Sequence, residues 1–175
     1  VHLVRARAER NLPARPRLIL TINDSTLYRR VAEYLQARLD TLLNIELLID
    51  PQTTQRMVEK WRAGTSDMTL ITWPVDVDDP MDQISFMGDP NFRRIFKGLY
   101  AGDDMAALYY QSRSAIHQAD RVAQVHKVHE FFTERVTVLP LFEPYGAAII
   151  KPNLKGFIWQ PVRGYADFRT VQIMP

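Results

Sequence analysis

Three observations predict an α/β fold built on a parallel sheet with flanking helices. Near-continuous apolar runs read as strands covered on both faces, amphipathic stretches of helical spacing lie between them, and the connections are long enough for right-handed crossovers. The runs span residues 18–22, 45–49 and 67–73. At 175 residues and 46% hydrophobic content, the chain can bury a substantial core.

Residues 1–16 carry Arg5, Arg7, Arg10 and Arg15 with Pro13 and Pro16, the pattern of a frayed helix followed by a linker. With a formal net charge of only +2, this basic run reads as a solvated segment rather than a nucleic-acid arm. From Arg17 the order is strand, helix, strand, helix, strand. After the first strand, Asn23-Asp24-Ser25 supplies a helix N-cap, and Leu27, Val31, Leu35, Leu39 and Leu42 recur at helical spacing. The second strand is expected to stop at Asp50-Pro51. Met57, Val58 and Trp61 form the inner face of a shorter helix ending by Gly64.

Beyond Pro80 the chain turns helical. Phe92, Ile95, Phe96 and Leu99 mark one short segment. Asp103 or Asp104 is the expected cap of a second, which runs to about His117. A third covers residues 119–133, with Val122, Val125, Val128 and Phe132 as its buried stripe and His129 near the core edge. Residues 136–142 and 145–150 read as two strands, and residues 152–156 as a turn.

Several chemistries lack their residues. Without cysteine there are no disulfides, thiolate metal sites or cysteine nucleophiles. The seven glycines are scattered singly, so no phosphate loop is spelled, and no G-x-S-x-G elbow occurs. His126, His129 and Glu130 lack the H-E-x-x-H order of a zinc protease and read as ordinary histidines and a glutamate. No apolar run approaches a membrane span, and the chain opens on Val1, as expected of a processed chain or a fragment. The chain reads as a non-enzyme without a cofactor or metal.

The polar chemistry concentrates in two places. In open α/β sheets ligands bind beyond the carboxyl ends of the strands. Two loops are predicted to leave that edge, one at Asn23 and Asp24, the other running from Trp73 through Asp76, Asp78 and Asp79 to Pro80. The acidic loop begins like a calcium loop, but Met81 stands where glycine is needed and Met87 where a bidentate glutamate should bind. Two readings remain for its aspartates. They cap the next helix, or they face a cationic group of a ligand.

Four segments in order carry a resemblance. Residues 18–23 lead into a long helix, Trp73-x-x-Asp76-x-x-Asp79-Pro80 follows, then Val136-x-x-Leu139-Pro140-Leu141-Phe142, then Ile150-Lys151-Pro152-x-x-Lys155-Gly156-Phe157. Together they resemble the C-terminal part of the oligopeptide and dipeptide solute-binding proteins of bacterial ABC importers (solute-binding family 5), from about Arg17 to Ile173. The resemblance implies a periplasmic-binding-protein-like (type II) C-terminal portion. Residues 17–150 would be a ligand-binding lobe, residues 1–16 a linker, and residues 151–175 a return toward a first lobe before Val1.

The resemblance also implies a periplasmic or extracytoplasmic protein that captures a small peptide or peptide-like ligand between two lobes for a membrane permease. No nucleic-acid partner is expected. By the match to the family's loop, Asp76 would pair with the peptide α-ammonium and Trp73 would shape the pocket wall. Asn23, Asp24, Asp78 and Asp79 would line the same rim. The chain departs from the family in carrying Ile71-Thr72 before Trp73 where Ala-Gly is common, and residues 81–102 match poorly. The alternative function is a ligand-sensing domain of a transcription regulator, which a helix-turn-helix upstream would mark.

Overall fold

The computed structural model describes residues 2–74, 76–77, 79–93, 102–136, 138–143, 147–159 and 166–174. The chain divides into two compact units, the first built mainly from residues 1–72 and the second from residues 73–94 and 99–175.

The first unit holds helix α1 (His2–Arg10), strand β1 (Arg17–Asn23), helix α2 (Thr26–Leu43), strand β2 (Glu46–Gln52), helix α3 (Thr54–Ala63) and strand β3 (Met68–Leu70). The three strands form a parallel sheet in the order β2-β1-β3, as the crossover lengths predict. Because side chains alternate along a strand, β1 serves two faces. Leu20 and Ile22 pack with Leu47 and with Ala32 of α2, and Tyr28, Leu35 and Leu39 seal that side. Thr21 points the other way, where α3 lies. The inner face of α2 is thus turned about one residue from the expected stripe, leaving Leu27 and Leu42 exposed at 54% and 60%.

Both crossover helices end as the sequence predicts. Asn44 takes the left-handed conformation at φ 51° after α2, with its N–H on Asp40 O and the N–H of Ile45 on Leu39 O. Gly64 does the same after α3 at φ 66°. Met57 and Trp61 are buried on the inner face of α3. Ser25 occupies the cap position of α2 but makes no side-chain cap bond. Strand β2 continues through Pro51 to Gln52, one residue past the expected stop; it is an edge strand, where a missing N–H costs least.

Strand β3 is shorter than the predicted residues 67–73, for a local reason. At its start the Asp67 carboxylate, not a backbone carbonyl, accepts the Ile19 N–H at 2.8 Å. Past its end the Tyr28 hydroxyl accepts the Thr72 N–H at 2.9 Å and donates to Thr72 Oγ1 at 2.8 Å. Side chains take over the ladder at both ends.

The second unit is mainly helical, with α4 (Pro80–Gly88), the single turn α5 (Pro90–Arg93), α6 (Asp103–Ser114) and α7 (Gln118–Arg135). Met87, Met105 and Val128 form its buried cluster, with Ile84, Leu108 and Phe131 against it. Gly88 lets α4 approach α6 closely, since a Cβ there would stand 2.7 Å from Tyr109 Cβ. Gly102, rather than Asp103 or Asp104, caps α6, and both aspartates sit in its first turn, where they favour the helix dipole. Helix α6 ends at Ser114, short of His117. The buried face of α7 is carried by Val128 and Phe131, while Val122 and His129 are exposed. Residues 95, 96 and 99, and the side chain of Phe132, lie outside the described residues.

The two strands expected at 136–142 and 145–150 are a correction where the chain is described; residues 137, 145 and 146 lie outside the described residues. Residues 138–143 and 147–150 have no regular structure and are exposed. Their β-branched and apolar pattern has no described strand alongside, and β propensity without a ladder does not make a strand. The turn at residues 152–153 leads instead into two short antiparallel pairs. One joins β4 (Leu154–Lys155) to β7 (Gln172–Ile173), the other β5 (Ile158–Trp159) to β6 (Ala166–Asp167). Gly156, at φ 72°, is required between them, because a Cβ would collide with Thr170 O.

Candidate functional site

In the first unit, Asn23 and Asp24 sit at the carboxyl end of β1 as predicted, and both are engaged. The Asn23 amide donates to Thr54 Oγ1 at the start of α3, at 2.7 Å. The Asp24 N–H donates to Gln52 O at 2.9 Å, and its carboxylate pairs with Arg29 at 2.5 Å. These bonds stitch the ends of β1 and β2 to the helices that follow them.

Behind them lies a polar network that the sequence did not disclose. Thr21, fully buried, donates to Asp50 Oδ2 at 3.0 Å and meets Ser66 Oγ at 2.8 Å. Lys60 of α3 pairs with the same Asp50 oxygen at 2.5 Å, and Gln52 donates to the other at 2.6 Å. Burial pushes the Asp50 carboxyl up, but the bonds from Lys60, Gln52 and Thr21 outweigh it and hold the group below the usual aspartate value. Such a satisfied network ties α3 to the sheet rather than offering a site.

In the second unit, Trp73, Asp76 and Asp79 lie on the loop that enters α4, and Asp78 lies outside the described residues. Half-buried Trp73 stacks edge-on against Phe86 of α4 at 4.3 Å between ring centroids, and Phe86 packs on Phe92 at 4.6 Å. The indole is thereby fixed to the helical layer.

Asp79 is the N-cap of α4. Its Oδ1 accepts from the Met81 N–H at 2.8 Å, and Pro80 fills the first helical position, which lacks a donor anyway. Its Oδ2 is held by Arg121 of α7. Exposed Asp76 is fixed through its backbone, whose N–H donates to Asp82 Oδ2 at 2.6 Å. The capping reading holds for Asp79, which caps α4 and bridges to α7, while Asp76 is exposed and held by its backbone N–H.

Beside this loop is an open depression of about 330 Å³, lined by Val77, Asp79, Asp82, Ser85, Arg113 and Arg121 among others. Arg113 lies over the ring of buried Tyr109 at 5.6 Å and donates to its hydroxyl at 3.3 Å. A larger open depression, about 500 Å³, lies between α6 and α7 away from the acidic loop. Two of its polar groups serve the fold: the Tyr110 hydroxyl donates to Asp89, and Ser114 donates to Tyr110 O within its own helix. The smaller one adjoins the acidic loop through Val77 and Asp79, but neither Trp73 nor Asp76 lines it, so we place the candidate site at the loop itself.

Sequence reading missed Asp82, Arg113 and Arg121. Asp82 was within reach, since an acid in the first turn after Asp-Pro signals a partner for nearby backbone donors. The pairing of Asp79 with Arg121 spans 42 residues and had no local signal. Among the described residues no group of three or more His, Asp or Glu side chains is arranged to hold a metal ion, and no helix is long and apolar enough to cross a membrane.

No protein-family model matches the chain, and no curated protein matches it in sequence. Solved structures do match. The substrate-binding domain of an oligopeptide ABC transporter from Bacillus anthracis superposes with a TM-score of 0.81 at 16% identity, over 99% of this chain and 34% of that one. Haemophilus influenzae OppA, solved in complex with the peptide RPPGFSPFR, gives 0.79 at 16% identity, over 98% and 34%. The Escherichia coli murein tripeptide binding protein MppA gives 0.77 at 19% identity, over 91% and 31%. The chain thus has the periplasmic-binding-protein-like fold of the oligopeptide-binding proteins that its motifs resemble. It spans about a third of the length of these structures.

Proposed function

We propose that this chain forms part of an extracytoplasmic solute-binding protein that captures a peptide or peptide-like ligand between two lobes and delivers it to an ABC permease. The neighbours in fold are binding proteins rather than enzymes, which supports a role without covalent chemistry. The observation that carries the reading is the likeness in fold of nearly the whole chain to oligopeptide-binding proteins. Within the acidic loop, Asp76 is exposed with its backbone N–H held by Asp82.

In this reading Asp76 receives the ligand's α-ammonium, and Trp73, braced by Phe86, forms the adjoining wall. Lobe closure would strip water from the ion pair, which strengthens it and couples recognition to closure. Backbone hydrogen bonds along an extended ligand would supply affinity without selecting its side chains.

Calorimetry on the protein that carries this chain tests the assignment. Replacing Asp76→Asn is expected to weaken binding of short peptides by about 2–5 kcal/mol, as when one partner of a desolvated charge pair is removed. N-acetylated peptides are expected to bind weakly to the unaltered protein and to show little further loss. Equal affinity of the Asp76→Asn variant for free-amino peptides would remove Asp76 from the site.

A further inference from the structure

The helix start at α4 is built differently from an ordinary capping box. In that motif the third helical residue reaches back to the backbone N–H of the cap itself. Here Asp79 is the cap and Asp82 the third residue, but the Asp79 N–H turns inward to Val77 O at 2.8 Å. The Asp82 carboxylate reaches past the cap and accepts the N–H of Asp76 at 2.6 Å.

The hydrogen bond is charge-assisted and closes the loop in a ring from residue 76 to residue 82. The base of that ring is held from two sides. Asp82 N–H donates to Asp79 O at 3.0 Å, and Ser85 Oγ donates to Asp82 O at 2.7 Å. The Asp79 carboxylate caps the same turn and is tied to α7 by Arg121. An acid in a helix's first turn usually does no more than favour the dipole. Asp82 does something more specific, because its acceptor oxygen is spent on the backbone of Asp76, an exposed aspartate at the head of the loop.

We propose that Asp82 is a positioning residue for Asp76, holding its backbone so that its carboxylate meets a ligand ammonium without first being ordered. The proposal rests on the reading of Asp76 as the ammonium anchor. Ordering a loop at the moment of binding subtracts from affinity, so a loop fixed beforehand binds more tightly with no added contact. The same arrangement explains why a short loop carries so many carboxylates: they hold different partners, Asp79 a helix start and an arginine, Asp82 a backbone amide.

Two measurements test this together. In amide-resolved NMR of this chain, the residue-76 amide proton is expected well downfield, to move upfield in Asp82→Asn as the acceptor loses its charge, and to move further in Asp82→Ala. In binding assays on the protein that carries the chain, Asp82→Ala is expected to weaken a free-amino dipeptide or tripeptide about tenfold, or about 1.4 kcal/mol. The N-acetylated peptide should change less than about twofold by the same arithmetic. Asp82→Asn retains an acceptor oxygen and should recover most of the loss, which a purely electrostatic role would not allow.

A residue-76 amide that ignores both substitutions overturns the proposal. So does full affinity in Asp82→Ala alongside lost affinity in Asp76→Asn, or equal weakness in Asp82→Asn and Asp82→Ala. If Asp82→Ala does not fold, the amide shift in Asp82→Asn decides. Failure of the ammonium reading looks different, since Asp76→Asn would then bind normally while the residue-76 amide still responded to Asp82.

Discussion

The two units bury different chemistry. The first packs Leu20, Ile22, Leu47 and Ala32 between sheet and helix, and the polar groups at the end of β1 bind one another. In the second, methionines do much of the filling, with Met81, Met87 and Met105 buried beside Val128 and Tyr109. Branched side chains on a pleated sheet have few ways to pack, whereas unbranched thioethers adapt to irregular gaps between helices. A sheet layer packed by branched side chains and a helical layer filled by methionines thus occur in the same chain, and Asp76, the proposed anchor, lies in the unit with the helical layer.

The largest effect should expose that difference. Leu20→Ala is expected to destabilise by about 3–5 kcal/mol and Met105→Ala by about 2–3, because methionine neighbours collapse more readily into the space left. Urea unfolding of the two variants checks the order. Equal losses would break the comparison.

Next is Gly88→Ala, which places a Cβ within 2.7 Å of Tyr109. Even an adaptable layer must shift there, and a loss of about 1–3 kcal/mol in chemical denaturation is expected. A neutral result would show that α4 and α6 separate freely.

The smallest effect concerns the polar network of the first unit. The Asp50 carboxyl is held below its usual value, so its contribution to stability is complete above the unfolded value of 3.8 and is lost as pH falls through the folded one. Lys60→Met should therefore cost about 1 kcal/mol near neutrality, and the difference from the unaltered protein should shrink as pH falls through the lowered folded-state value and Asp50 becomes protonated. A difference that persists unchanged in acid would mean that Lys60 acts by packing its stem rather than by its charge.

Legibility followed the range of the interaction. The parallel order of β1, β2 and β3 and the end of α3 were readable because periodicity and Gly64 act within a few residues. The pattern at 136–142 looked equally strand-like and formed no strand among the described residues, since a strand needs a partner that no local signal provides. The acidic loop stood out by composition, yet the roles within it did not. The hold of Arg121 on Asp79, 42 residues away, had no local signal.

By itself, then, the sequence determined the strands and helices of the first unit, and that negative charge gathers in the loop between Trp73 and Pro80, because those properties depend on neighbours along the chain. Only the tertiary structure decided that Arg121 holds Asp79 and that Asp82 holds the backbone of Asp76. Hydrogen bonds and ion pairs over tens of residues depend on where the backbone brings their partners, and no spacing in the sequence records that.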